Sequence, residues 1–162
     1  MKKIILTFLS LAAATASYSQ NSSNYLQLVV NSPWDFYMDD VYDLEHDMVI
    51  ANAFTLRLRT TSNQASIYMR QNILLYPTNF APNGSGHLAI DFTSSNSTNY
   101  TNMTSGQYVM TSSNQLLFRQ PQMSSSLSYR YFNYDLVIIE TGYDYFFPGY
   151  YTFRGRFTMT QP

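Results

Sequence analysis

Alternation of apolar and polar residues is the dominant pattern of this chain, and it predicts β-strands. The stretch "AFTLRLRT" puts Phe54, Leu56 and Leu58 on one parity, and "ASIYMRQ", "HLAIDFT" and "GYYTFRGRFTMTQP" alternate in the same way. A period of two is typical of a half-buried strand, because successive side chains point to opposite faces. The more continuously apolar stretches "YLQLVV" and "YDLVIIE" predict strands that are covered on both faces.

Turn signals separate these segments. Asn83-Gly84 and Pro148-Gly149 predict tight turns, and the Ser/Thr/Asn-rich segment 94–115 predicts a long exposed loop or hairpin with a weak strand at 108–110. We therefore predict an all-β fold, an antiparallel immunoglobulin-like β-sandwich of about seven to nine strands. The residues expected in its core are Phe54, Leu56, Leu58, Leu88, Ile90, Phe92, Leu136, Ile138, Phe153 and Phe157.

The first twenty residues have the order of a cleaved secretory signal peptide. Lys2 and Lys3 precede an apolar run and then the small residues Thr15, Ala16 and Ser17. The apolar run is shorter than the roughly 20 residues that span a bilayer, so no transmembrane segment is expected in the mature chain. We predict a signal peptide at residues 1–20 and a single domain at residues 21–162, exported to the periplasm, the cell surface or the medium.

The charge balance changes once that segment is removed. The nine basic residues less Lys2 and Lys3 leave seven arginines against ten acids, a net charge of about −3. A chain without a basic tail is poorly suited to phosphate backbones, so nucleic acid is not expected as a partner. The absence of cysteine excludes disulfides, and stability must come from the apolar core.

Catalytic chemistry finds little support in the residues. The two histidines, His46 and His87, have no cysteine to join them, and no nucleophile elbow, zinc-protease motif or phosphate loop is present. We predict that the protein is not an enzyme, with no catalytic residues and no cofactor.

The segment 35–47 concentrates six of the ten acids of the chain. Dense carboxylates suit Ca²⁺, and Asp39, Asp40 and Asp43 are the candidate ligands, although the spacing lacks the glycine and the regular repeat of a calcium loop. A solvated acidic loop is the favoured interpretation. Trp34, just before this segment, is expected to anchor the core or a sheet edge.

Tyrosine is the second abundant resource, with 15 in the chain. Its ring has an apolar face and a hydrogen-bonding tip, which suits stacking on sugars. Tyr143, Tyr145 and Tyr150 are the candidate sugar contacts. They support one of two functional hypotheses, a soluble carbohydrate-binding module.

The C-terminal stretch "GYYTFRGRFTMTQP" resembles the last strand of secreted pilin-like β-sandwiches, which include fimbrial subunits and the spore-coat-protein-U-like family. The same pattern is equally typical of any exported sandwich that ends on a core strand. The resemblance implies a last strand that is central in its sheet, beside an edge that accepts a partner strand. It also implies a partner interface, formed by Tyr151, Phe153, Arg154, Arg156 and Phe157.

The resemblance carries the first functional hypothesis, a non-enzymatic structural or adhesive subunit, or accessory component, of a surface assembly. Its expected partners are proteins, bound by strand addition or homo-oligomerisation, with surface glycans as a further class.

Overall fold

The computed structural model describes residues 4–6, 24–34, 36–38, 46–61, 63–75, 88–103, 106–123, 128–139 and 152–161. Within these ranges every regular element is a β-strand. The strands are β1 (Ile4–Leu6), β2 (Asn24–Val30), β3 (Phe36–Met38), β4 (Met48–Thr60), β5 (Ala65–Leu75), β6 (Leu88–Ser95), β7 (Gln107–Val109), β8 (Gln115–Gln120), β9 (Arg130–Ile138) and β10 (Thr152–Thr160).

Eight of these strands form two antiparallel sheets. One sheet has five strands in the order β2-β4-β9-β6-β7, and the other has three in the order β10-β5-β8. The remaining strands, β1 and β3, pair with each other. The two sheets pack face to face, so the expected all-β antiparallel sandwich is confirmed, and the eight described strands of its two sheets fall within the expected seven to nine.

The core between the sheets is rich in aromatic rings. Phe118 of the three-stranded sheet stacks on Phe132 of the five-stranded sheet at a centroid distance of 4.2 Å, and Phe157 lies 5.3 Å from Phe54. Most residues predicted for the core are buried, while Phe92 and Phe157 are half-buried and the side chain of Phe153 lies outside the described part. The buried members of the predicted set are Phe54, Leu56, Leu58, Leu88, Ile90, Leu136 and Ile138.

A bulge interrupts the ladder between β4 and β9, between Ile50 and Phe54. Asn52 has a φ of 50°, a left-handed conformation that asparagine tolerates better than most residues. Its backbone N–H donates to the Asp135 carboxylate at 2.6 Å. The bulge therefore keeps the even-numbered residues of β4 facing the core on both of its sides.

The last strand does not occupy the position that the pilin-like resemblance implied. β10 pairs with β5 alone among the described strands, so in the described sheet β10 lies at an edge and β5 lies at the centre. Within the described strands, β10 therefore does not have the central position that was expected, because alternation reports which face of a strand is buried and not how many neighbours the strand has. Phe157 and Met159 nevertheless pack against the core, and Arg154 and Arg156 are exposed.

Two further expectations are settled by the same register. "YLQLVV" forms β2, which pairs with β4 alone among the described strands, and Gln27 and Val30 are exposed on its two faces, so the expected coverage on both faces was wrong there. In β9, Val137 is buried on the face opposite Leu136, as the apolar run in "YDLVIIE" predicted.

The weak strand predicted at 108–110 is present as β7. The predicted turns at Asn83-Gly84 and Pro148-Gly149 lie outside the described residues.

Candidate functional site: the open side of the sandwich

The two edge strands β2 and β10 border one side of the sandwich, and their core-facing side chains are incompletely covered. Leu26 and Leu28 lie opposite the buried Leu58 and Leu56 in the ladder with β4, yet they are only half-buried. Val30, which lies opposite Phe54, is 40% exposed. This side of the core therefore presents a row of apolar side chains, which we call the β2–β10 cleft.

The β10 wall of the cleft is built in the same way. Phe157 and Met159 face the core and are half-buried, although both pack against fully buried neighbours. Among the described residues, no backbone hydrogen bond reaches the side of β10 that faces away from β5. Within the described part of the chain, this nine-residue strand therefore has a row of N–H and C=O groups to which no strand is paired, an arrangement that can accept an added strand.

The opposite side of the sandwich is closed by backbone pairing. Thr101 forms a two-way bridge with Arg119 on the outer edge of β8, with N···O distances of 2.9 Å in both directions. The chain then crosses between the sheets, where the Met110 N–H donates to Leu88 and the Gln71 N–H donates to Thr111, both at 2.8 Å. The two sides therefore differ, and the cleft is not a general property of the sheet edges.

One end of the cleft is closed by side-chain amides. Asn24 Nδ2 donates to Gln161 Oε1 at 2.7 Å, and Gln161 Nε2 donates back to Asn24 Oδ1 at 2.8 Å and to Thr60 Oγ1 at 2.7 Å. These bonds join the start of β2 to the end of β10. Away from this end, β2 and β10 run in opposite directions with no described hydrogen bond between them.

A small apolar cavity of about 20 Å³ lies in the core behind β10. Gly155 and Phe157 line it from β10, and Trp34 lines it from the segment after β2. The Trp34 indole N–H donates to the Ala53 carbonyl at 3.1 Å and its ring lies 5.5 Å from Phe54, so the expected anchoring role is confirmed. A Cβ placed on Gly155 would meet Met110 Cε at 3.5 Å, an ordinary contact, so the glycine leaves unfilled space.

A second candidate surface lies on the outer face of the five-stranded sheet. The Arg57 guanidinium carbon stands 3.7 Å above the centre of the Tyr129 ring, 5.8 Å from that of Tyr131 and 5.9 Å from that of Tyr25. Tyr131 is 39% exposed, and the other two rings are half-buried. We call these four residues the tyrosine–arginine cluster. Cation–π contacts of Arg57 hold the cluster together.

Among the described residues of the core, the fully buried ionisable side chain is that of Tyr134. Tyr134 is fully buried, its ring stacks on Phe54 at 5.2 Å, and its hydroxyl has no hydrogen-bond partner among the described residues. Burial raises the pKa of Tyr134 well above the usual value for a tyrosine, with smaller contributions from Tyr108 and Tyr100. Tyr134 does not line the cavity, so this geometry assigns it no catalytic role.

Some of the residues predicted for functional sites lie in the described part of the chain, and others lie outside it. Arg154 and Arg156 lie on the outer face of β10 and Phe157 on its core face, while Phe153 is described by its backbone alone. The described part of the chain does not include Tyr151, the sugar candidates Tyr143, Tyr145 and Tyr150, or the calcium candidates Asp39, Asp40 and Asp43. Leu26, Leu28 and Val30 were not predicted as interface residues, because an edge strand and a central strand have the same apolar pattern.

Searches for related proteins returned no match to a protein-family model, to a curated protein or to a solved structure. No three metal-binding side chains come together within the described ranges. In the same ranges, no helix is long and apolar enough to cross a membrane. The fold therefore defines the class of this protein as an all-β sandwich, in which no described strand pairs with β10 on the side of the cleft.

Proposed function

We propose that this protein is a non-enzymatic, exported subunit or accessory component of a surface assembly, and that it accepts a strand from another protein along β10. The observation that supports this most is the difference between the two sides of the sandwich. Thr101 covers the edge of β8, whereas β10 has no described neighbour beyond β5. An added strand would gain main-chain hydrogen bonds along β10 and bury alternate side chains in the cleft.

The burial pattern supports an apolar insert. Leu26, Leu28, Phe157 and Met159 already contact the core from both walls of the cleft, so an incoming strand would complete a buried layer. Removal of such surface from water contributes roughly 25 cal/mol per Å². Arg154 and Arg156 would stay on the outer face, where charged side chains discourage unspecific edge pairing.

The test introduces a charge into the cleft. Val30→Glu places a carboxylate on an exposed position of the β2 wall, and Val109→Glu is the matched control, because Val109 is 36% exposed on an edge strand at the opposite side. We expect both variants to fold, and we expect Val30→Glu alone to lose incorporation into surface assemblies and cross-linking to surface proteins in the producing cells. Equal incorporation of both variants, each with an unchanged melting temperature, would contradict strand addition in the cleft.

A soluble carbohydrate-binding module is the second candidate function, and the tyrosine–arginine cluster favours it. The exposed Tyr131 ring lies beside the Arg57 guanidinium, a combination that suits stacking on a pyranose ring and hydrogen bonding to its hydroxyls. The distinguishing result is binding of polysaccharides by a protein that remains monomeric. Loss of that binding in Tyr131→Ala, with assembly unaffected, would favour the module over the subunit.

A further inference from the structure

The outer face of the three-stranded sheet is basic. Arg70 of β5 lies directly opposite Arg156 of β10, and Arg154 follows two residues away on the same face. Arg154 and Arg156 are exposed, and Arg70 is half-buried between the core residues Met69 and Gln71. The sequences of β5, β8 and β10 contain no aspartate or glutamate. We call the residues Arg70, Arg154 and Arg156 the basic patch.

The outer face of the five-stranded sheet has the opposite arrangement in one half. Asp91 of β6 lies directly opposite Asp135 of β9, and their neighbours Ile90 and Leu136 face the core, so both carboxylates lie on the outer face. Both are half-buried, and the buried Ala89 and Val137 lie beside them on that face. Gln107 lies opposite Asp91 in β7 and donates from Nε2 to Asp47 Oδ2 at 2.9 Å. We call Asp47, Asp91 and Asp135 the acidic patch.

On the outer face of the five-stranded sheet, the cation Arg57 lies in the half away from the acidic patch. Arg57 is opposite Tyr131, four residues along β9 from Asp135, and its guanidinium is held against tyrosine rings. Strand residues rise by about 3.3 Å each, so these charges are separated by roughly 13 Å from the acidic patch. At ordinary ionic strength that distance exceeds the Debye length, and the two halves act separately.

Each patch contains a pair of like charges directly opposite each other, an arrangement that destabilises an isolated sheet. The two pairs have opposite signs and lie on the two outer faces of one sandwich. A single copy cannot bring these faces together, but two copies can. We propose that copies of this protein stack face to face, with the basic patch of one copy against the acidic patch of the next.

Such a contact is heterologous, because different surfaces of the two copies meet, and it can extend into an open stack. It deepens the proposed function by naming a second copy as a partner. The cleft is formed by core-facing residues of β2 and β10, whereas the patches are formed by outward-facing residues, so the two kinds of contact use different surfaces.

The experiment measures sedimentation of the mature chain and of two charge variants. Arg154→Glu with Arg156→Glu removes the basic patch, and Asp91→Arg removes the like-charge pair of the acidic patch. We expect the unaltered protein to associate at 0.1 M salt and to dissociate at 1 M salt, where the Debye length falls from about 10 Å to about 3 Å. We expect each variant alone to be monomeric. Their equimolar mixture should form a dimer with one copy of each, because each variant keeps the patch that the other lacks.

A stability measurement separates assembly from folding. Arg156→Glu alone converts the pair with Arg70 into opposite charges, so we expect a higher melting temperature of the dilute protein together with weaker association. The control is Thr98→Glu with Asn99→Asp, which changes the net charge by the same amount in an exposed loop and should alter neither property.

The outcomes distinguish stacking from strand addition. An unaltered protein that stays monomeric at low salt and high concentration would overturn stacking, as would association that persists in both charge variants. If Val30→Glu abolishes surface incorporation while the charge variants incorporate normally, the cleft proposal stands without stacking. If Val30→Glu has no effect and the charge variants lose association, stacking stands without the cleft.

Discussion

The side-chain amides of Asn24 and Gln161 donate hydrogen bonds to each other across 137 positions of sequence. This reciprocal pair joins the first residue of β2 to the residue that follows β10, and Thr60 accepts a third bond from the same Gln161 amide. The two edge strands of the cleft are thus tied at one end and separate elsewhere. The arrangement fixes the position of β10 although β10 has a described neighbour strand on one side only.

Loss of this amide pair should loosen β10. Gln161→Ala removes three part-buried hydrogen bonds, and we expect the free energy of unfolding to fall by about 1–2 kcal/mol. Denaturant unfolding measures the change. Gln107→Ala is the control, because its bond to Asp47 is exposed, and its effect should be much smaller. A cost of Gln161→Ala no larger than that of the control would show that the pair does not hold the strand.

The loss of unfolding free energy on truncating an aromatic ring of the core should increase with the burial of that ring. Phe132 is fully buried and stacked on Phe118, so Phe132→Ala should cost about 3–5 kcal/mol. Phe157 is half-buried at the cleft, and Phe157→Ala should cost less, about 2–3 kcal/mol. Equilibrium unfolding of both variants gives the comparison. A cost below about 1 kcal/mol for Phe157→Ala would mean that this face of β10 is not part of the core.

The buried Tyr134 hydroxyl predicts an alkaline loss of stability. Its pKa is raised in the folded state, so the stabilisation is complete below the unfolded value near 10 and declines as the pH rises through the folded pKa. Tyr134→Phe removes both this loss and the unpaired hydroxyl, and we expect it to raise the free energy of unfolding by about 1 kcal/mol at neutral pH. The gain should increase at alkaline pH.

Urea unfolding at neutral and alkaline pH tests this expectation. Tyr68→Phe is the matched control, since it removes the hydroxyl of a tyrosine that is half-buried on the outer face of β5. A Tyr134→Phe variant that is less stable than the unaltered protein at every pH would contradict the description of the hydroxyl as unsatisfied.

Gly155 gives a test of the cavity behind β10. Gly155→Ala adds a Cβ at an ordinary contact distance from Met110, so the fold should accept it, with a gain of about 0.5–1 kcal/mol from the reduced flexibility of the unfolded chain. If an added strand inserts a side chain at this cavity, the same variant should assemble less well. Thermal unfolding and incorporation assays measure the two effects. A destabilised Gly155→Ala variant would contradict the contact geometry.

Alternation predicted the fold class well because it reports the buried face of each strand. Phe54, Leu56 and Leu58 were expected in the core and are fully buried. The same signal could not locate β10 at an edge, since Phe157 and Met159 would face the core from either position. Strand order depends on pairing between distant segments, such as Thr160 with Ser66, and such pairing leaves no local trace in the sequence.

Some residues of the candidate surfaces could be predicted from the sequence. Arg154 and Arg156 were expected at an interface, and their parity predicted an outward face. The sequence did not predict that Arg156 lies opposite Arg70, or that Asp91 lies opposite Asp135. Both pairings depend on the strand register. The polar segment 94–115 was predicted as an exposed loop or hairpin, yet it contains the buried residues Ser97 and Met110. Ser97 is buried, and its hydroxyl donates to Gln120 at 2.9 Å, a long-range bond that offsets the cost of burial and has no local sequence signal.

Hydrogen exchange of β10 in the monomer and in the assembled protein tests the central claim most directly. In the monomer, the amides of residues 154–160 that point away from β5 should exchange rapidly, because no described strand covers them. In assemblies isolated from the producing cells, we expect these amides to become protected, together with a fall in solvent exposure at Val30. Unchanged exchange along β10 on assembly, or a protein that stays monomeric at high concentration and cross-links to no surface partner, would contradict strand addition at this edge.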